Sequence, residues 1–242
     1  RLVYDYLVRV FVHTFIYDVW SCRKEKGLFA GIARTYKLLR SNSNSFVWRM
    51  DITKFFDHID HLVLMHCVGR RVKDSQWFWL ICEIIKSYSS GHSSNNDERR
   101  CGIPIGNLTS QIFANIYLNE LDRYVRHTLR PRGYLRYGDD CISIGKSVSE
   151  VEWCREKIIL FLRTKLCIEI HKKHDIIIPV RHGIRFLGHF ISPIECRLNG
   201  RNRRRIERLV TRRNASSYFG LLGKYERSEE INYFFWKLVE YV

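Results

Sequence analysis

Two adjacent carboxylates, Asp139 and Asp140, occupy the centre of a stretch whose pattern predicts a β-hairpin. Both flanks alternate large apolar with polar residues, and Gly138 and Asp139 stand where a tight turn needs residues that tolerate positive φ. Adjacent carboxylates repel each other unless a cation lies between them. An isolated Gly-Asp-Asp is most often an ordinary turn, so a metal-binding interpretation depends on the rest of the chain.

A third acid, Asp51, lies at the end of the apolar run of residues 46–52, which reads as a buried strand. A central sheet could bring Asp51 next to Asp139 and Asp140. Three such carboxylates suit two divalent ions about 3.5–4 Å apart, the arrangement that catalyses in-line displacement at phosphorus. Mg²⁺ fits this chemistry because oxygen ligands and substrate phosphates complete its octahedron, with Mn²⁺ as a substitute.

The segments around these acids predict a mixture of helices and short strands. Helices are predicted over residues 2–19, 28–40, 58–70, 74–88, 107–129, 147–166, 201–213 and 229–241. Strands are predicted over residues 46–52, on both sides of the Asp-Asp turn, and over residues 167–170, 175–180 and 184–191. This mixture is that of an α+β fold.

The charge of the chain indicates a polyanionic partner. Its 242 residues carry a formal net charge of +16, with 41 Lys and Arg against 25 Asp and Glu. A basic balance of this size favours nucleic acid. A membrane partner is not expected, because no basic amphipathic anchor and no apolar run of about 20 residues occurs.

The eight cysteines contain no C-x-x-C pair and lie mostly in apolar segments. This usage is typical of buried, reduced thiols in an intracellular protein. The chain begins Arg-Leu-Val-Tyr-Asp, without Met and without the apolar core of a signal peptide, which fits a fragment or a processed product.

Four motifs, in order, resemble those of the reverse transcriptase family of nucleotide polymerases. Asp51-x-x-x-Phe-Phe-Asp57 resembles motif A, and residues 102–115, Gly-Ile-Pro-Ile-Gly-Asn-Leu-Thr-Ser-Gln-Ile-Phe-Ala-Asn, resemble motif B. Tyr137-Gly-Asp-Asp140 resembles motif C, and Phe186-Leu-Gly188 resembles the primer-grip motif. The resemblance extends over essentially the whole chain.

The resemblance implies a right-hand polymerase, with an antiparallel palm sheet backed by helices, partial fingers and a short helical thumb. The expected domains are partial fingers at residues 1–45, a palm at residues 46–191 with a fingers insertion at about 62–100, and a thumb at residues 192–242. The family's first pair of finger strands, which carries Lys and Arg, would lie before Arg1. That position puts autonomous activity of the chain in question.

The same resemblance assigns roles at the reacting centre. Asp51 and Asp139 would hold the two ions, Asp140 would assist, and the Ile52 carbonyl would be a further ligand. Phe56, rather than Phe55, would be the steric gate that favours dNTPs over rNTPs. On sequence alone, both rings would be packing residues.

Further residues are expected to contact substrates. The expected nucleotide-binding residues, besides Phe56, are Ile105, Gly106, Arg23 and Lys173. The expected template and primer contacts are Ser110, Gln111, Tyr137, Phe186, Leu187, Gly188, Arg203 and Arg204. A plain basic loop at Arg23, a solvated turn at Lys173 and a solvated helix face at residues 201–213 are the ordinary alternatives.

Motif B supports a finer assignment. Ile105-Gly-x-x-x-Ser110-Gln111 is similar to the same segment in the reverse transcriptases of diversity-generating retroelements. Many other members of the reverse transcriptase family have Gln-Gly in place of Ile105-Gly106 and Ser-Pro in place of Ser110-Gln111. Segments 21–27 and 217–220 are also similar to that group. These enzymes copy a template RNA with errors opposite adenine. An apolar Ile105 cannot hydrogen-bond the incoming nucleotide as Gln would, which reduces discrimination.

The resemblance also implies partners and alternatives. Expected partners are template RNA, a cDNA or primer strand, dNTPs and a small basic accessory protein that forms an oligomeric ring, in a cytoplasmic, bacterial or phage-encoded setting. The alternatives are another bacterial reverse transcriptase, from a group II intron, a retron or a phage-defence system, and an inactive RNA-binding scaffold with the polymerase fold.

Overall fold

A computed structural model describes residues 1–91 and 100–209 of the chain. The helices are α1 (Leu2–Phe11), α2 (Leu28–Ser41), α3 (Phe55–His58), α4 (His61–Gly69), α5 (Ser75–Lys86), α6 (Leu108–Tyr124), α7 (Val148–Leu166) and α8 (Gly200–Leu209). The strands are β1 (Phe46–Met50), β2 (Gly133–Tyr137), β3 (Asp140–Gly145), β4 (Ile176–Pro179), β5 (Ile184–Phe186), β6 (His189–Ile191) and β7 (Cys196–Leu198). No helix in these ranges is both long and apolar enough to cross a membrane.

Side-chain caps fix where several helices begin. The Ser147 hydroxyl accepts a hydrogen bond from the Glu150 amide at 3.2 Å, and the Glu150 carboxylate accepts from the Lys146 amide at 2.7 Å, which starts α7 directly after β3. The Asp74 carboxylate accepts from the amides of Gln76 and Trp77 and starts α5. Each cap satisfies amides that have no partner in the first helical turn.

A four-stranded sheet with the order β2-β3-β1-β4 contains the predicted hairpin as its edge strand β2 and the neighbouring strand β3. β2 and β3 pair antiparallel, with Tyr137 opposite Asp140. β1 pairs antiparallel with the other side of β3, from Phe46 opposite Gly145 to Met50 opposite Cys141. Asp51 directly follows β1 and Asp140 begins β3, so the two residues lie at the same end of neighbouring strands.

Two compact units divide the chain: residues 1–31 with 45–178, and residues 32–44 with 179–242. The first unit contains the four-stranded sheet and one continuous apolar core, to which α6 and α7 contribute buried residues along their length. The second unit contains a three-stranded antiparallel sheet, with the order β5-β6-β7. The predicted domain names and their boundaries remain predictions.

The strand predicted over residues 167–170 is wrong, because only Ile170 pairs there, in a single bridge with Ile52. Three other predicted elements are wrong in extent. The helix predicted over residues 2–19 ends at Phe11, because the chain from Asp18 to Trp20 instead runs along β2: the Arg136 amide donates to the Asp18 carbonyl and the Trp20 amide donates to the Arg136 carbonyl. The helix predicted over residues 58–70 is interrupted, because Ile59 and Asp60 are extended and Asp60 caps α4.

The strand predicted over residues 184–191 is a hairpin. Phe186 pairs with His189, and Leu187 and Gly188 form the two-residue connection with φ of 50° and 79°. Positive φ at both central positions is what a type I′ turn requires, and Leu is an unusual residue there. The helix predicted over residues 229–241 and the end of the one predicted over 201–213 lie outside the described residues.

Candidate active site

The sheet brings the three predicted catalytic acids to one edge. Asp51 follows Met50 and Asp140 precedes Cys141, and Met50 and Cys141 are directly opposite each other on β1 and β3. Asp139 is the turn residue before Asp140. The charge of Asp51 acts on both Asp139 and Asp140, raising the pKa of each. Asp51 is thus a neighbour of Asp139 and Asp140 in the fold, although it is distant from them in the sequence.

The turn that carries two of the acids depends on one glycine. Gly138 has a φ of 64°, as the first central residue of a type II′ turn does, whereas Asp139 is not among the residues with positive φ. The expectation of a positive-φ residue at both positions is therefore correct only for Gly138. Because Gly138 absorbs the reversal, Asp139 and Asp140 stand at the start of β3 without backbone strain of this kind.

Asp139 and Asp140 lie where their charged forms are electrostatically unfavourable. Burial first, and then the nearby charges of Asp51 and Asp140, raise the pKa of Asp139 to about 6, while Arg136 acts in the opposite direction. Burial also raises the pKa of Asp140, against the lowering effect of Arg49. The Arg49 guanidinium contacts one Asp140 oxygen at 3.0 Å. Protons or cations are favoured at both carboxylates as a result.

Asp51 is bordered by the segment that leads into β4. Its carbonyl accepts from the His171 amide at 2.7 Å, and its carboxylate lies 3.4 Å from Nδ1 of His174. Ile52 and Ile170 form an antiparallel bridge. Two hydrogen bonds flank it, one from the His171 amide to the Asp51 carbonyl and one from the Thr53 amide to the Glu169 carbonyl. In this type of bridge the carbonyl of the central residue points away from the partner strand, so the Ile52 carbonyl is directed away from Ile170.

The donor set of this edge fits a hard divalent cation. Three carboxylates and a main-chain carbonyl are oxygen ligands, and a cation would relieve the repulsion that raises the pKa of Asp139. In residues 1–91 and 100–209, no three His, Cys, Asp or Glu side chains are closely enough arranged to hold an ion as they stand. Arg49 contacts a carboxylate oxygen of Asp140, and His174 contacts one of Asp51.

A buried charge network, which the sequence reading missed, lies directly behind the turn. The Arg136 side chain is 0% exposed, and its Nε and Nη2 donate to both carboxylate oxygens of Asp122 on α6. Its Nη1 donates to Oδ1 of Asn115 at 3.1 Å and to the Gly138 carbonyl at 2.9 Å. The Gly138 amide donates to the Ser21 hydroxyl at 2.9 Å.

The motif B loop is fixed against the end of motif A. The Ile103 amide donates to the Phe56 carbonyl and the Gly102 amide donates to the Ile59 carbonyl. Phe55 is buried in the core, whereas Phe56 is only partly buried. Two residues beyond Ile103, the Ile105 side chain is 77% exposed. The structure thus brings the predicted gate and the predicted nucleotide-binding loop, including Gly106, together, while their roles remain predictions.

The other two predicted nucleotide contacts, Arg23 and Lys173, lie in different surroundings. Nη1 of Arg23 donates to the carbonyls of Ile16 and Val19, so this part of the guanidinium stabilises the chain's own turn. Lys173 is exposed in a short 3₁₀ turn, Lys172–His174. Nucleotide binding by Arg23 and Lys173 remains a prediction.

The predicted template and primer contacts of the first unit differ in exposure. Ser110 is buried in the first turn of α6, and Gln111 beside it is partly buried. Tyr137 is partly buried at the end of β2, and burial raises its pKa. Of these residues, only Gln111 and Tyr137 present a side chain that is partly open, and their contacts remain predictions.

The predicted contacts of the second unit form two groups. The Phe186 side chain is buried, so Leu187 and Gly188 are the accessible members of its motif. The Gly188 carbonyl accepts from the Asn199 amide and from Nδ2 of Asn202, which ties this turn to the start of α8. Arg203 and Arg204 lie on α8 among Arg201, Arg205 and Arg208. Arg212 and Arg213 of the predicted basic cluster lie beyond the described residues.

Comparison with known proteins identifies the family. The family model for reverse transcriptase (RNA-dependent DNA polymerase) matches residues 2–191. The chain belongs to this family, as the motifs predicted.

Two curated relatives illustrate the range of similarity. The chain is 24% identical to the group II intron-encoded protein LtrA of Lactococcus lactis subsp. cremoris, over 58% of this chain and 34% of that protein. It is 28% identical to protein YkfC of Escherichia coli K12, over 73% of this chain and 55% of that protein. The chain therefore spans between about a third and about half of the length of these relatives.

Solved structures with the same fold include telomerases. Apo telomerase from Candida tropicalis matches with a TM-score of 0.56 and 13% identity, over 82% of this chain and 39% of that one. Telomerase from Candida albicans, in complex with a TWJ fragment of telomeric RNA, matches with a TM-score of 0.57 and 13% identity, over 83% and 37%. At this identity the likeness concerns the fold alone, and it confirms the predicted α+β right-hand polymerase fold.

Proposed function

We propose that this chain is the catalytic part of an RNA-directed DNA polymerase. The observation that carries the proposal is the meeting of Asp51, Asp139 and Asp140 at the ends of adjacent strands, with the pKa values of Asp139 and Asp140 raised. Carboxylates held together at such a cost are typical of catalytic sites that bind cations. Membership of the reverse transcriptase family supports the same conclusion.

Asp51 and Asp139 would hold two divalent ions, Mg²⁺ or Mn²⁺ as a substitute, with Asp140 assisting and the Ile52 carbonyl as a further ligand. When bound, such ions supply a lowered pKa for an attacking primer 3′-hydroxyl and neutralise the charge of a leaving pyrophosphate. The chain's own contribution is to hold the carboxylates at the end of β1 and the start of β3. Catalysis then depends on positioning and on electrostatic stabilisation.

Phe56 and Ile105 would border the incoming nucleotide. The main-chain bond between Ile103 and Phe56 keeps the motif B loop beside the Phe56 ring. A partly exposed ring at Phe56 would collide with a ribose 2′-hydroxyl, and the exposed Ile105 would provide an apolar contact without a hydrogen bond. Together they would favour dNTPs while discriminating weakly between bases.

Template RNA and a DNA primer strand are the proposed partners. The net charge of +16 supports binding to phosphates. Arg201, Arg204 and Arg205 are exposed on α8, and this part of the second unit would follow a phosphate backbone. The Leu187–Gly188 turn, whose carbonyl at Gly188 is tied to α8, would contact the primer strand.

The finer assignment that we propose is error-prone copying in a diversity-generating retroelement, with a small basic accessory protein as a partner. It rests on Ile105-Gly106 and Ser110-Gln111 of motif B. A group II intron enzyme is the second candidate, and the similarity to a group II intron-encoded protein favours it. A scaffold that only binds RNA is the third.

Primer extension on an RNA template, with each dNTP and rNTP offered singly, tests these proposals in the complete protein. DNA synthesis that requires a divalent ion supports the polymerase, and RNA binding without synthesis favours the scaffold. Misincorporation concentrated opposite adenine and dependent on the accessory protein supports the retroelement assignment. Accurate synthesis without a partner contradicts it.

The variant Ile105→Gln isolates the role of the motif B loop. It restores a side chain that can hydrogen-bond the nucleotide, so we expect fewer errors opposite adenine at similar protein stability. Leu108→Gln is the matched control, because Leu108 is also exposed and lies three residues further along. Equal error rates in both variants and the parent would contradict the role of Ile105.

A further inference from the structure

Both backbone polar groups of Gly138 are held by side chains. The Gly138 amide donates to the Ser21 hydroxyl, and its carbonyl accepts from Nη1 of Arg136, each at 2.9 Å. This carbonyl belongs to the peptide bond that joins Gly138 to Asp139. Any movement of that peptide displaces Asp139 directly, so these two hydrogen bonds fix the start of the catalytic pair.

The Arg136 side chain is itself fixed by α6. Asp122 accepts from Nε and Nη2 of the guanidinium, with distances between 2.6 and 3.1 Å. Asn115, almost two turns earlier on α6, accepts from Nη1 at 3.1 Å and donates to the Ser21 carbonyl at 3.1 Å. A planar guanidinium with donors on three sides suits this task, whereas the ammonium of Lys has no such fork.

A purely structural ion pair would need only Asp122. The guanidinium is fully buried and both Asp122 oxygens are engaged, which already neutralises the charge. Its remaining donors reach Asn115 and the turn rather than another core group. The network therefore links the helix of motif B to the turn of motif C through a single side chain.

We propose that Arg136 is a positioning residue for the Asp139–Asp140 pair, which transmits the location of α6 to the turn through its hydrogen bond with the Gly138 carbonyl. Asn115 and Ser21 complete the device: Asn115 orients the guanidinium, and Ser21 holds the opposite side of Gly138. This inference rests on the proposed function insofar as the positioned carboxylates are those that bind the divalent ions.

The test compares two asparagines of α6. Asn115→Ala removes a contact of Arg136 with α6 and a contact of α6 with Ser21. Asn119→Ala is the matched control, because Asn119 is also buried and also bonds the N-terminal segment, through Thr14 at 3.2 Å, without contacting the network. Ser21→Ala and Arg136→Lys complete the set, and Ser21→Ala is the mildest of these changes.

Two measurements separate positioning from folding. Mn²⁺ affinity is measured by electron paramagnetic resonance on the complete protein bound to primer and RNA template. Amide hydrogen exchange is followed in the peptide that covers residues 134–145. We expect Asn115→Ala and Arg136→Lys to weaken Mn²⁺ binding by about 10- to 100-fold, the usual effect of losing an outer-sphere partner, and to speed exchange at the turn.

Ser21→Ala should weaken Mn²⁺ binding by a few-fold through the same turn, which is less than the range expected for the other two variants. Asn119→Ala should leave both readouts at the parental level even if it lowers the melting temperature. Equal Mn²⁺ affinity and equal exchange in Asn115→Ala, Ser21→Ala and Asn119→Ala would overturn the inference.

The same set distinguishes this inference from the proposed function. If the parent protein binds Mn²⁺ and the variants weaken it, but no DNA is synthesised, the positioning role stands and the polymerase proposal fails. If DNA is synthesised and the Mg²⁺ concentration for half-maximal rate is the same in Asn115→Ala as in the parent, the polymerase stands and the positioning role fails.

Discussion

Two groups of charged side chains meet at the Gly138 turn and are organised in opposite ways. Behind the turn, Arg136 and Asp122 are both 0% exposed, and opposite charges are matched by several short hydrogen bonds. In front of it, Asp51, Asp139 and Asp140 are like charges, and burial raises the pKa of the latter two. The first group carries its own counter-charge, whereas the second keeps three like charges together, with Arg49 at Asp140 and His174 at Asp51, and under the proposed function a cation would complete it.

The difference shows how the two roles can be told apart. A structural charge cluster supplies its own counter-charges, because an unpaired buried charge is costly. A cluster that acts on a ligand leaves like charges together and depends on the ligand to neutralise them. The variants and conditions below change either the matched charges of the buried group or the like charges of the open group.

The largest expected effect is on synthesis. Asp139→Asn removes one of the charges that would hold an ion, so we expect primer extension to fall by more than about 10,000-fold, or ~5 kcal/mol of transition-state stabilisation. RNA binding, measured by fluorescence anisotropy, should remain within about twofold, and the stability should not decrease, because a like charge has been removed. Synthesis that survives this change would show that the two-ion assignment is wrong.

The buried group should respond in stability instead. Asp122→Asn leaves the Arg136 charge buried without its counter-charge, which should lower the free energy of unfolding by about 3–5 kcal/mol in a denaturant titration. Glu120→Gln is the control on the same helix, because its pair with Arg70 is half-exposed and should contribute less than about 1 kcal/mol. Similar losses in the two variants would remove the distinction between buried and open charges.

The pH dependence of stability should report on the open group. The pKa of Asp139 is raised from 3.8 to about 6, so the folded protein binds more protons than the unfolded chain between these values. Without divalent ions, the free energy of unfolding should therefore fall as pH rises from about 4 to 6, and Asp139→Asn should flatten this fall. Added Mg²⁺ should oppose it, because the ion and the proton compete for the carboxylate.

The smallest effect is expected at the glycine between the two groups. Gly138→Ala introduces a Cβ that meets no atom within 4 Å but forces a side chain onto a φ of 64°, so we expect a loss of about 1–2 kcal/mol. Gly27→Ala is the control, because its site is equally open and its φ is not positive. Equal stability of the two variants would mean that the turn accepts the strain by changing type.

The sequence allowed the open group to be predicted more fully than the buried one. Asp139 and Asp140 could be placed because alternating strands and a Gly-Asp turn are local signals, and Asp51 because it ends an apolar run. Arg136 stands on β2, the other strand of the hairpin, and a charged residue in such a strand normally faces solvent. Its burial depends on Asp122, which lies 14 residues away on a helix, so no local pattern reveals it.

The errors in secondary structure have the same origin. The apolar spacing of residues 2–19 favours a helix throughout, but the pairing of Val19 with Arg136 at the edge of β2 determines the conformation after Phe11. Residues 184–191 read as one strand because Leu187 is a poor turn residue by propensity. The bonds from Asn199 and Asn202 to the Gly188 carbonyl support the turn there, and they come from the start of α8, later in the chain.

The hydrogen bond between Ser21 and Gly138 also bears on how the protein is made. It joins residues 117 positions apart, so during translation at about 5–20 residues per second, Ser21 leaves the ribosome roughly 6–23 seconds before its partner. The closure of so long a loop has to precede the gain from the contact. The Gly138 turn therefore cannot be locked before the chain has been synthesised past it, and a nascent chain that stops before Gly138 contains Ser21 but not the turn that Ser21 holds.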